Sequence, residues 1–147
     1  MNKLFQLVLV LGLAGMMLAA CSQPVVTPLT GADQDAVLSY TEAKTDNLLA
    51  GFNASDYAVF SRDFDDTMKG ALTQSAFIQT RQTVTGKIGK YVSRQLATVE
   101  QVDAFIRVTY TAKFEQEDGV TVQVVFNNDS AHLVSGLWYT SPKLRGQ

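Results

Sequence analysis

The chain has 147 residues, 46% of them hydrophobic, with twelve Lys and Arg against fourteen Asp and Glu and a formal net charge of -2. That length suits one domain with its own core, and the near balance of charge excludes both a basic nucleic-acid footprint and an acidic disordered tail. The single cysteine, Cys21, excludes a disulfide within the chain, and the single histidine, His132, excludes a metal centre built on several imidazoles.

Residues 1–20 open with one cation, Lys3, continue through an apolar run over 7–18 and end in Ala19 and Ala20. This is the layout of a secretory signal peptide, too short and too weakly flanked for a retained membrane span. The junction Leu18-Ala19-Ala20-Cys21 resembles the lipobox of bacterial lipoproteins. That resemblance implies a diacylglyceryl group on the Cys21 sulfur and a further acyl chain such as palmitate at the new amino terminus, two attachments that together hold firmly to a bilayer. The expected location is the bacterial cell envelope outside the cytoplasm. Ser22 lacks the aspartate character that retains such proteins at the inner membrane, so an outer-membrane destination is favoured in a host with two membranes. Removing residues 1–20 leaves 127 residues with a formal net charge of -3.

Residues 21–32 comprise Cys21 and a segment with Pro24, Pro28, Gly31 and no periodicity, which predicts a flexible tether. The folded domain is expected over 33–142, with a tail over 143–147. Asp33 or Asp35 can cap a first helix whose stripe is Val37, Tyr40, Ala43 or Lys44, Leu48 and Phe52. Ser55 and Asp56 restart the pattern, and Tyr57, Phe60, Phe64, Met68 and Leu72 recur at helical spacing, with an interruption at Gly70. Thr73 can cap a third helix carrying Phe77 and Val84 and ending near Gly86.

The period then switches to two, and strands are predicted over 87–99, 104–116, 120–127 and 132–140. The second is the clearest, since Ala104, Ile106, Val108, Tyr110, Ala112 and Phe114 alternate with polar or exposed partners. A three-residue loop Glu117-Asp118-Gly119, with Gly119 left-handed, would pair Phe114 with Val122 and Ala112 with Val124. The same parity carried through the 127–130 turn pairs Val124 with Leu133. Leu133, Leu137 and Tyr139 then point inward, leaving His132, Val134 and Trp138 beside Val125 on the outer face. Such an apolar patch marks a candidate interface for a homodimer or another envelope protein.

Three N-terminal helices on a curved four-stranded antiparallel sheet make an α+β fold. This order resembles the cone-shaped, nuclear-transport-factor-two-like (cystatin-like) superfamily. The residues Phe64-Asp65-Asp66-Thr67-Met68, the 72–77 helix start, Gly86 and Gly89, and Gly136-Leu137 with Pro142 resemble the domain of unknown function 3887. The likeness implies a helical lid over a half-rolled sheet with a cavity between them. It implies no catalytic residues.

Nothing in the residue pattern assembles catalytic or metal chemistry, and no cofactor is implied. Asp63, Asp65 and Asp66 lack the oxygen spacing and central glycine of a calcium loop, and read as helix-end and turn residues beside Asp118 and Asp129. No nucleophile elbow accompanies His132, and no carboxylate falls on an inward strand position where its pKa would be raised for proton transfer. The unusual feature is Ser93-Arg94-Gln95 in the middle of a strand, because a buried polar group demands a partner. Tyr91, Arg94, Gln95, Tyr110 and Tyr139 are therefore the candidate lining of a ligand pocket. The expected function is a lipid-anchored module binding a small molecule or a protein; the alternative is a cavity enzyme, isomerase- or hydrolase-like, acting on a small envelope metabolite.

Overall fold

The computed structural model describes residues 23–146; the signal segment and Cys21 lie outside them. The elements in chain order are β1 (Val26–Pro28), α1 (Gly31–Ala54), α2 (Tyr57–Phe60), α3 (Asp66–Ala71), α4 (Gln74–Ile88), β2 (Tyr91–Val102), β3 (Phe105–Phe114), β4 (Glu117–Asn127), β5 (Val134–Thr140) and α5 (Pro142–Arg145). All five strands run antiparallel in the order β1-β2-β3-β4-β5. Among the described residues no helix is long and apolar enough to cross a membrane.

The fold is α+β, but the expected four-stranded sheet with three helices is corrected to five strands and five helical segments among the described residues. The fifth strand is β1, read from sequence as part of the tether. Val26, Thr27 and Pro28 pair with Val102, Gln101 and Glu100, and Leu29 N–H continues the contact by donating to the Val99 carbonyl at 2.8 Å. A proline is tolerated there because the strand lies at the sheet edge. Thr30 precedes the first helical residue, so α1 begins ahead of Asp33, which sits in its first turn where the helix dipole favours an acid.

The stripe from Tyr57 to Leu72 divides into α2 and α3 because a turn over 61–63 leads Phe64 and Asp65 alongside β5. Phe64 bridges to Val134, Val134 N–H donates to the Asp63 carbonyl and Asp65 N–H to the Val134 carbonyl. Asp65 then caps α3 by accepting from Met68 N–H at 2.7 Å, as Asp56 caps α2. Gly51 lets α1 and α2 touch, since a Cβ there would collide with the Phe60 backbone.

The inner sheet face and the helices enclose one core. Ile106, Val108, Tyr110, Ala112 and Phe114 of β3 and Val120, Val122, Val124 and Phe126 of β4 face Leu48, Leu49, Phe52, Phe60, Phe64, Phe77, Val84 and Ile88. The β3–β4 hairpin differs in register from the sequence reading: Ala112 pairs with Val120, Tyr110 with Val122 and Phe114 with Glu117. The turn is Glu115-Gln116, and an irregularity follows in β4 at Asp118-Gly119, where Gly119 takes φ +74. A bulge with a left-handed glycine restores the parity that a two-residue turn would have spoiled.

A second irregularity decides what the outer face presents. Val125 pairs with Gly136 but Phe126 pairs with Val134, so β5 carries one extra residue, Ser135. The extra residue turns Val134 inward, fully buried. The connection before β5 is also longer than the sequence reading assumed, so Leu137, not Leu133, lies opposite Val124.

Candidate functional site

The inner face is not covered along its whole length. β1 pairs only with residues 100–102 of β2, and the part of β2 nearer its start lies under α1. Here Leu38, Glu42, Tyr91, Val92, Ser93, Arg94, Leu96 and Tyr110 line an open cleft of about 450 Å³. Leu38, Glu42 and Asp46 stand four residues apart on α1, one above the other along the helix. Register shifts in β2 between Tyr91 and Ser93 and between Leu96 and Thr98 deliver Arg94 to the inner face, opposite Ala112.

Arg94 is the centre of the cleft. Its side chain is only 10% exposed, with Nη2 2.6 Å from Glu42 Oε2 and Nη1 2.6 Å from Asp46 Oδ1. Its guanidinium carbon lies 4.9 Å from the centre of the Tyr110 ring, a cation–π placement. Tyr110 is buried and donates its hydroxyl to Glu42 Oε1 at 2.8 Å, with Thr45 Oγ1 at 3.4 Å. Burial pulls the Arg94 pKa down, but its bonds to Asp46, Tyr91 and Glu42 outweigh that and hold it above its ordinary value. Burial raises the Tyr110 pKa, and the hydrogen bond and charge of Glu42 add to the rise. Both groups therefore keep their protons at neutral pH.

Of the five residues expected to line a pocket, the structure brings Tyr91, Arg94 and Tyr110 together in the cleft. Gln95 is exposed and pairs with Thr111 on the opposite face, because alternation along β2 admits only one of the polar trio. Tyr139 lies outside the cleft, its ring 5.3 Å from that of Phe52 and 6.1 Å from that of Phe114. Its hydroxyl is buried without a hydrogen-bond partner among the described residues, and burial raises its pKa. Glu42 and Asp46 were not anticipated. Their spacing of four, each one residue after a buried threonine, Thr41 or Thr45, was the available signal.

The candidate interface residues also divide. Val125 and Trp138 share the outer face, where with Asp65, Thr67, Phe105, Asn127 and Ser135 they line a groove of about 420 Å³. Val134 is core, for the reason of the extra residue in β5. His132 sits before β5 at φ +47 with its ring stacked on Tyr40, centroids 3.7 Å apart. That loop is held to α1 by Lys44, whose Nζ donates to the carbonyls of Ala131 at 2.7 Å and His132 at 2.6 Å. Among the described residues no group of three His, Cys, Asp or Glu is placed to hold a metal ion.

The family model described as Protein of unknown function (DUF3887) matches residues 45–132, a span from the middle of α1 to the His132 loop. This chain belongs to the DUF3887 family. No curated protein and no solved structure matches it. Within this DUF3887 chain the matched span contains Arg94, Tyr110, Phe105 and Val125 but stops short of Trp138, and Glu42 precedes it.

Proposed function

We propose that this DUF3887 protein is a lipid-anchored module of the bacterial cell envelope that binds a small molecule in the cleft between α1 and β2 without transforming it. The anchor is Cys21, carried by the Leu-Ala-Ala-Cys junction behind an apolar signal segment. A pocket between helices and sheet is what the likeness to the nuclear-transport-factor-two-like superfamily implies.

One observation carries the preference for binding over catalysis. The charged groups of the cleft are committed to one another: both terminal nitrogens of Arg94 go to carboxylates, and the Tyr110 hydroxyl goes to the same Glu42. A general base needs an acceptor held for substrate, whereas Glu42 and Asp46 are each paired with the Arg94 guanidinium, beside an apolar rim of Leu38, Val92 and Leu96. One cation against two carboxylates leaves the cluster with a formal charge of -1. That charge favours a neutral or cationic occupant with an apolar body over an anion.

Native mass measurement on detergent-extracted protein tests the reading. The expected result is a chain starting at Cys21 with its acyl chains, plus a retained small molecule that Leu96→Trp, which fills the rim, no longer carries. A chain that still begins at Met1, or a retained molecule that Leu96→Trp still carries, contradicts it. Turnover of a small molecule that is lost in Tyr110→Phe would favour the enzyme instead.

A further inference from the structure

The outer sheet face carries an apolar row that begins where the chain enters the domain. Val26, Val102 and Phe105 are successive partners across β1, β2 and β3, and directly opposed residues share a face. Val26 is 43% and Phe105 41% exposed, and Val25 just before them is 70% exposed. In the next row Val125 and Gly136 follow the Glu100–Arg107 pair, and the Trp138 ring, 54% exposed, lies over Gly136 in place of a side chain.

The entry point is fixed by hydrogen bonds. Val25 N–H donates to Asp103 Oδ1 at 3.2 Å, and Asp103 N–H donates back to the Val25 carbonyl at 3.3 Å. Asp103 is held at φ +51 in the turn between β2 and β3. Cys21 precedes Val25 by four residues, so it can lie no more than about 14 Å from Val25 however the chain runs.

We propose that this patch is a bilayer contact: with Cys21 acylated, Val26, Val102, Phe105 and Trp138 lie against the boundary between lipid headgroups and acyl chains. The inference rests on the acylation proposed above and adds which face of the domain meets the lipid. The chemistry fits the apolar boundary better than the charged headgroups. Asp103 and Asp129 lie at this end, and Arg107 is neutralised by Glu100 at 2.9 Å. Trp is the side chain most suited to that depth, with an apolar body and one donor. Two or three acyl chains already hold the protein, so the patch sets orientation while affinity comes from the anchor.

Trp138 is the only tryptophan in the chain and reports directly on this contact. The acylated full-length mature protein is reconstituted in vesicles of phosphatidylethanolamine and phosphatidylglycerol. Its emission is measured with brominated acyl chains in the vesicles or a water-soluble quencher outside them. The expected result is loss of about half of the emission to bromine placed near the headgroups, the depth reached by interfacial side chains, with protection from the aqueous quencher. Val26→Ser with Phe105→Ser, both at half-exposed positions, should restore access to the aqueous quencher while the protein still sediments with the vesicles.

Three results overturn the proposal. Trp138 open to the aqueous quencher in an acylated, vesicle-bound protein removes the lipid contact and leaves the anchor standing. Protection from the aqueous quencher without quenching by bromine assigns the patch to a second copy of the chain. A protein lacking acyl chains by mass removes the anchor and this inference with it.

Discussion

The two faces of the sheet treat their exceptions in opposite ways. On the inner face, which should be apolar, the intruding polar groups Arg94 and Tyr110 are met by Glu42, Asp46 and Thr45. On the outer face, which should be polar, the apolar groups Val26, Phe105 and Trp138 remain uncovered. A buried polar group left alone costs one to several kcal/mol, and the fold meets those of the cleft from α1, while the Tyr139 hydroxyl and Arg94 Nε stay without partners among the described residues. An exposed apolar group is tolerated by the fold, so its resolution falls to whatever lies outside.

Substitutions on the two faces test that contrast. The largest effect is expected on the inner side at Gly51→Ala, because the added methyl meets Phe60 backbone, 2.7 Å from its Cα, and backbone cannot swing away. Overpacking of this kind costs about 3 kcal/mol, read as a lowered midpoint in urea unfolding. Arg94→Met keeps the packed stem but removes two charge-assisted bonds, and should cost about 2 kcal/mol in the same assay. Tyr110→Phe loses the hydroxyl bond to Glu42 and should cost about 1 kcal/mol; an unchanged midpoint would show that the cluster holds without it.

Tyr139→Phe has the opposite sign, since it deletes a buried hydroxyl that has no partner, and stability should rise by up to about 1 kcal/mol. Its pH dependence is also specific. Folding raises the Tyr139 pKa above the ordinary 10.0, so the native state holds the proton more tightly than the unfolded chain. Stability is then lost as pH climbs past 10, and Tyr139→Phe should flatten that alkaline loss. The smallest effect is expected outside, at Gly136→Ala. The added methyl is crowded only by the far edge of the Trp138 ring, which can move, and touches Val125 Cβ at an ordinary 3.4 Å, so stability changes by less than about 0.5 kcal/mol while Trp138 fluorescence shifts.

Much of the architecture was readable from side-chain periodicity. The alternation from Ile106 to Phe114 identified both β3 and its buried face, and Asp56 and Thr73 marked helix starts that the structure places at α2 and α4. What escaped was what periodicity cannot encode. The extra residue at Ser135 reverses the parity of a strand without altering its composition, and so moved Val134 from the expected outer patch to the core. β1 is three residues long and contains Pro28, so only its partner across the sheet makes it a strand. The break between α2 and α3 comes from hydrogen bonds with β5, about seventy residues later in the chain. In the cleft, Arg94 was suspected because a buried polar group in a strand demands a partner, while Glu42 and Asp46 became visible only when α1 was laid across β2.

The short first strand has a mechanical consequence. It is held to β2 by three residue pairs at the sheet margin, so a pull arriving from the N-terminal side loads them one after another, like a zipper, before any strain reaches α1. Releasing residues 25–30 would lengthen the leash by about 20 Å at the cost of a few hydrogen bonds, leaving the helices and the remaining four strands in place.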